Sequence, residues 1–109
     1  MKKIIILTAT VLIASTSYSQ NERAVVFSGT GLSYTTAYEI NTPAQLARLA
    51  ELVNRGEIIV GTFFKLTADI DLSAYGSRFN NGKGWIPIGN FTNQFSGHFN
   101  GNNHTVIGL

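Results

Sequence analysis

After Gly56 the hydrophobic period of this 109-residue chain changes, and that switch limits its fold more than any other feature. Before Gly56, Leu46, Leu49, Ala50 and Val53 recur at i, i+3, i+4 and i+7, the spacing of one helix face. After it, Phe64, Leu66, Ala68, Ile70 and Leu72 alternate with Lys65, Thr67, Asp69 and Asp71, which makes one side of an extended chain apolar and the other polar. A single helix followed by short strands points to a mainly β fold.

The helix carries its own boundary signals. Thr42 is placed as N-cap, Pro43 takes the first helical position, where its missing N–H costs nothing, and Gln45 completes a capping box. Gly56 is suited to the left-handed position just past the end. These residues predict a helix over 43–55. Further strands are expected at Trp85-Ile86-Pro87-Ile88-Gly89, Phe95-Ser96-Gly97-His98-Phe99 and Thr105-Val106-Ile107-Gly108-Leu109, with turns at Asn80-Asn81-Gly82 and Asn100-Gly101-Asn102. Leu66, Ile88 and Ile107 lie roughly 20 residues apart, the recurrence of a solenoid whose coils stack face to face. Asn-Gly turns also make hairpins, so on spacing alone an antiparallel meander remains open.

Residues 1–19 have the three parts of a cleavable secretory signal: Lys2 and Lys3, an apolar run from Ile4 to Ala14, and Ser17 and Ser19 before a cleavage point at Gln20. The apolar run is too short for the ~20 residues that a membrane span needs, so no transmembrane segment is expected after cleavage. Residues 20–37 read as an N-terminal arm with a first short strand at Ala24-Val25-Val26-Phe27 and a Gly/Ser/Thr-rich loop, and residues 38–109 as the helix and the stacked strands. The chain has no cysteine, hence neither a disulfide nor a lipid attachment point. Without Lys2 and Lys3, Arg23, Arg48, Arg55, Lys65, Arg78 and Lys83 are balanced by Glu22, Glu39, Glu51, Glu57, Asp69 and Asp71. The cations are scattered rather than striped, so nucleic acid is not expected as a partner. A domain this small buries only roughly 60–65% of its unfolded surface, too little for a large enzyme core.

The run Trp85-Ile86-Pro87-Ile88-Gly89, then Phe95-Ser96-Gly97-His98-Phe99-Asn100-Gly101-Asn102-Asn103-His104-Thr105-Val106-Ile107-Gly108-Leu109, resembles the W-x-P-I-G … F-x-G-x-F-D-G-N-G-H-x-I-x-x-L pattern of bacterial surface proteins with GLUG-type repeats. Tyr38-Glu39-Ile40-Asn41-Thr42, the helix, and Leu66-Thr67-Ala68-Asp69-Ile70-Asp71-Leu72 look like the segment that precedes those repeats. The resemblance covers residues 29–109. It implies the start of a right-handed parallel β-helix with an N-terminal capping helix, on an exported, Bacteroidetes-like cell-surface protein that serves as an adhesin or envelope module. It also implies that further coils follow, so that the chain is the N-terminal part of a longer protein. The family signature consists of turn and core positions, so it implies no catalytic residue, cofactor or metal. Three positions depart from the pattern: Asn100 stands for Asp, Asn103 for Gly and Ala37 for a proline. Asn tolerates the left-handed region, so the turn can keep its shape.

Among chemistry-bearing residues, Asp69 and Asp71 are two apart on a strand, the placement of an acid/base pair in a polysaccharide lyase or glycosidase, which is the alternative function. Their structural role would be to bond backbone N–H groups at a corner, and that role is expected to hold. They would hold Ca²⁺ only if several more oxygens converged on them. His98 and His104 are the chain's histidines and would need two carboxylates to form a zinc site. Asn90-Phe91-Thr92 and Asn103-His104-Thr105 match the glycosylation sequon, which the implied bacterial source argues against. Phe63, Phe64, Trp85, Phe91, Phe95 and Phe99 would form a sugar-stacking platform if they faced outward, but alternation turns Phe64, Phe95 and Phe99 inward. The expected partners are glycans or proteins at host or cell surfaces. Val106, Ile107 and Leu109 form a last strand with neither Pro nor Lys to discourage pairing, so self-association through the C-terminal edge is expected.

Overall fold

The structure is a computed structural model that describes residues 26–109. The expected signal peptide and the first two residues of the expected strand at 24–27 lie outside the described residues.

The helix forms where its signals place it. Helix α1 spans Pro43–Asn54, with the Thr42 side chain accepting from the Gln45 N–H and the Gln45 side chain accepting from the Asn41 and Thr42 N–H groups. At its other end Gly56, at φ 73°, donates to the Val53 carbonyl and Glu57 donates to that of Leu52. This pair of bonds is the Schellman closure, and it needs a residue that accepts positive φ. Arg55 is therefore the cap and not part of the helix.

Among the described residues five strands surround the core. Strand β1 is Tyr38–Ile40, β2 is Phe63–Leu66, β3 is Ile70–Asp71, β4 is His98–Asn100 and β5 is Val106–Ile107. They form two sheets, one in the order β1-β2-β4 and one pairing β3 with β5. Every strand pair among the described residues is parallel, a pairing that hairpins cannot make. The antiparallel contact among the described residues is the isolated bridge between Ser28 and Glu39.

The register corrects the expected 20-residue recurrence. Tyr38 lies beside Phe64, a step of 26 residues, Phe64 beside Phe99, a step of 35, and Ile70 beside Val106, a step of 36. Ile88, on which the shorter spacing rested, is in no strand, and neither is the rest of Trp85–Gly89. Pro87 offers no N–H to a ladder and Gly89 sits at φ 92°, so this stretch cannot extend a sheet. It instead forms part of a long excursion between a 3₁₀ turn at Ser73–Tyr75 and β4, with Trp85 and Ile88 packed on the core. The strand expected over Phe95–Phe99 is shifted to His98–Asn100.

After each strand of the larger sheet the chain turns a corner: β1 leads into α1, β2 into β3, and β4 into β5. The helix thus occupies, in the first layer, the place that a strand occupies in the next two. Its buried Leu46, Leu49 and Val53 join Ile40, Phe64, Leu66, Ile70 and Leu72 in one cluster. Tyr38 and Phe64, side by side in register, continue this core as a column of rings with Phe27 and Phe95 at 5.6–6.1 Å. Burial pushes the Tyr38 hydroxyl pKa up. Gly97 permits the close approach of β4 to β2: a Cβ there would lie 2.5 Å from the Thr62 carbonyl oxygen, which accepts the His98 N–H at 2.8 Å.

Candidate functional site

Corners join the two sheets, and Asp69 and His104 sit there, whereas Asp71 and His98 lie in strands. The Asp69 carboxylate, at the corner between β2 and β3, accepts from the Thr105 N–H at 3.0 Å and contacts His104 Nδ1 at 3.1 Å. Both partners belong to the corner of the next layer. The Thr105 amide, and then the His104 ring, hold the Asp69 pKa below the usual carboxylate value. Asp71 accepts from the Ser73 hydroxyl and from its N–H at 2.9 Å, and these bonds lower its pKa also. Each carboxylate is thus engaged in a separate local task and stabilised as an anion. A general acid would need one of them raised instead.

The Asn-rich corner is built by side chains that replace backbone partners. Asn100 accepts from the Asn102 N–H at 2.9 Å, and Asn102 donates from its amide to the Leu66 carbonyl at 3.1 Å, tying two layers together. Asn102 and Asn103 sit at φ 54° and 60°, so Asn103 does adopt the left-handed backbone expected where the pattern has Gly. Among the described residues no group of three or more His, Asp or Glu converges in the manner of a metal site. His98 and His104 do not share a site: His98 lies face to face with Phe63, ring centroids 4.3 Å apart and 15° from parallel.

The six aromatic residues do not make one platform. Phe64 is buried and Phe95 packs against the core, as alternation requires. Phe99 is a correction: it occupies an inward register position beside Phe64 yet remains 41% exposed, because it is packed by a layer on one side only. Phe63 faces outward but stacks on His98 and meets Tyr34 at a steep angle with ring centroids 4.8 Å apart, so it is engaged by protein rings. Trp85 packs edge-on against Tyr75, and Phe91 stands alone in solvent. Asn90, of the first sequon, is engaged in its own turn through the Thr92 and Asn93 N–H groups.

Asn54 is a residue whose part the sequence does not announce. Its side chain donates to the Pro87 carbonyl at 3.0 Å and accepts from the Gly89 N–H at 2.8 Å, while its own carbonyl accepts from the Asn93 amide at 2.8 Å. The end of α1 therefore anchors the non-strand excursion.

The two ends of the stack differ. At β1 the outer edge is closed: Glu39 donates to the Ser28 carbonyl at 2.9 Å and Gln45 donates to that of Val26 at 2.8 Å. At β4 and β5 no further strand pairs among the described residues, and Phe99, Val106, Ile107 and Leu109 are exposed. The described residues thus define a short stack of parallel strands. No protein-family model and no solved structure matches the chain. It is 37% identical over 84 residues to a protein of Evansella cellulosilytica provisionally named a Gly-rich membrane protein, and 34% identical over 90 residues to halomucin of Haloquadratum walsbyi. These alignments cover 77% and 81% of this chain but 9% and 1% of those proteins, so the chain spans a small part of the curated relatives it matches. Among the described residues no helix is long and apolar enough to cross a membrane.

Proposed function

We propose that this chain is a non-catalytic module of the cell envelope, the capped start of a GLUG-like right-handed parallel β-helix used for adhesion or display. The observation that carries this reading is the pair of parallel ladders joined by corners, with the corner of one layer bonded to that of the next: the Thr105 N–H donates to the Asp69 carboxylate and the Asn102 side-chain amide to the Leu66 carbonyl. Stacked corners of this kind are how a solenoid buries each coil against the next. The leader-like residues 1–19 and a relative named as a membrane protein support an envelope location. Surface glycans or proteins are the partners that such a module would meet.

The test is twofold. Cells expressing the chain with a C-terminal epitope are fractionated and shaved with protease, and the purified protein is assayed on pectin, alginate and host glycans. An epitope lost on shaving, with glycan retention but no turnover, supports the reading. An epitope confined to the cytoplasm overturns the location. Release of unsaturated or reducing ends, abolished in Asp69→Asn, would make the protein a lyase or glycosidase.

A further inference from the structure

The excursion that precedes β4 contains a turn whose polar groups the fold leaves unused. Residues 76–84 close on themselves: Phe79 donates to the Gly76 carbonyl at 2.9 Å, Gly82 and Gly84 both donate to that of Phe79 at 3.2 and 3.0 Å, and Lys83 donates to that of Asn80 at 3.0 Å. Asn80, Asn81, Gly82 and Gly84 all take positive φ, so the chain winds back on itself and carries its two cations, Arg78 and Lys83, on one short, internally bonded loop. The base of the loop is fixed to the core. Tyr75 and Trp85 pack on the central cluster, and Tyr75 meets the Phe79 and Trp85 rings edge-on at centroid distances of 4.7 and 5.7 Å.

Three observations point to a ligand. Arg78 and Lys83 are exposed and neither lies within ion-pair distance of a carboxylate among the described residues, whereas Arg48, Arg55 and Lys65 each do. From residue 72 to residue 97 the chain has no Asp or Glu, so no neighbour in sequence cancels the field of the two cations. Asn90, Asn93, Asn100 and Asn102 engage main-chain groups with their side chains, but the side-chain amides and main-chain N–H groups of Asn80 and Asn81 donate to nothing among the described residues. Cations, free amide donors and half-buried rings in one place match a sugar acid, which brings a carboxylate, hydroxyls and an apolar C–H face.

We infer that the 76–84 loop, with Tyr75, Phe79 and Trp85 at its base, is a binding site for an acidic polysaccharide, a chain of uronate sugars. Arg78 and Lys83 pair with its carboxylates, Asn80 and Asn81 donate to its oxygens, and the C–H face of a sugar lies against the accessible part of the rings. The loop is already closed by its own bonds, so binding has little main chain to order. This inference rests on the reading of the chain as a module that meets surface glycans, and it names the charge class of the glycan and the residues that hold it. The two fail separately: glycan retention that ignores Arg78 and Lys83 keeps the module and removes this site.

The experiment is titration of the purified full chain with oligogalacturonate, followed by calorimetry and by the emission of Trp85, the sole tryptophan. A neutral cello-oligosaccharide of the same length and polyglutamate of the same charge are the comparisons. The expected result is binding of oligogalacturonate that perturbs Trp85 and weakens with added salt, with neither comparison bound as tightly. Arg78→Gln combined with Lys83→Gln should weaken it by about tenfold or more, through the loss of two ion pairs and their hydrogen bonds, whereas Arg48→Gln should not. Circular dichroism checks folding, and where the double variant fails to fold, each single variant, expected to lose about threefold, replaces it. Absence of binding, equal binding of the neutral sugar or of polyglutamate, or a folded double variant that binds like the wild type overturns the inference.

Discussion

Replacing Asn54 by alanine tests whether the end of α1 holds the excursion 76–97 in place. The substitution removes two side-chain hydrogen bonds, to the Pro87 carbonyl and from the Gly89 N–H, while the bond from the Asn93 side-chain amide to the main-chain carbonyl of residue 54 survives. At ~0.5–1.5 kcal/mol net for each bond, the loss is about 1–3 kcal/mol. Alanine's better helix propensity returns up to ~0.7 kcal/mol, which leaves a net cost of about 0.3–2.3 kcal/mol, centred near ~1.3 kcal/mol. For a domain of this size each kcal/mol lowers Tm by ~4–8 °C, so a fall of about 5–10 °C is expected at the centre of that range. Thermal unfolding by circular dichroism measures it, and Trp85, the sole tryptophan, reports on the same segment through its fluorescence. The Trp85 emission should shift toward that of an exposed indole before the main transition. An Asn54→Ala protein with wild-type Tm and wild-type emission would show that the helix end does not anchor residues 87–93.

Leu49 is fully buried in the helix face, so Leu49→Ala should cost ~2–5 kcal/mol and Leu49→Asp should abolish folding, and an unchanged melt in either would mean that this face is not core. Gly97→Ala drives a Cβ against the Thr62 carbonyl and should lose ~1–3 kcal/mol, read from denaturant midpoints; a neutral result would refute the close approach of β4 to β2. Asp69 and Asp71 have lower pKa values folded than unfolded, so the stability they contribute is present at neutral pH and is lost as pH falls through the folded values. Tm should therefore decline on acidification below the usual carboxylate range, and less steeply in Asp69→Asn; identical acid limbs would remove Asp69 from the account. Chelation should leave Tm unchanged, whereas a rise with Ca²⁺ that disappears in Asp71→Asn would place an ion at the corner.

Features set within a few residues were legible from the sequence alone. The helix start depends on Thr42 and Gln45, and its end on the backbone freedom of Gly56, so both could be placed without knowing what the helix packs against. The inward positions of Phe64, Leu66, Ile70 and Leu72 followed from the two-residue period of an extended chain. The left-handed turn at Asn103 followed from the chemistry of one side chain. Partner choice was different, because which strands pair depends on segments far apart in the chain. Alternation says which way Phe64 points and is silent on whether Tyr38, Ile88 or Phe99 lies beside it. An apparent 20-residue rhythm through Ile88 was a coincidence of apolar residues: Pro87 and Gly89 disqualify that segment as a strand, and Asn54, more than thirty residues earlier in the chain, satisfies its free carbonyl and N–H. The candidate pair Asp69 and Asp71 was visible as two carboxylates, but their separate tasks were decided by which donors the fold delivered to each. Thr105 and His104 reach Asp69 only because β5 stacks on β3, a long-range pairing that no local pattern encodes.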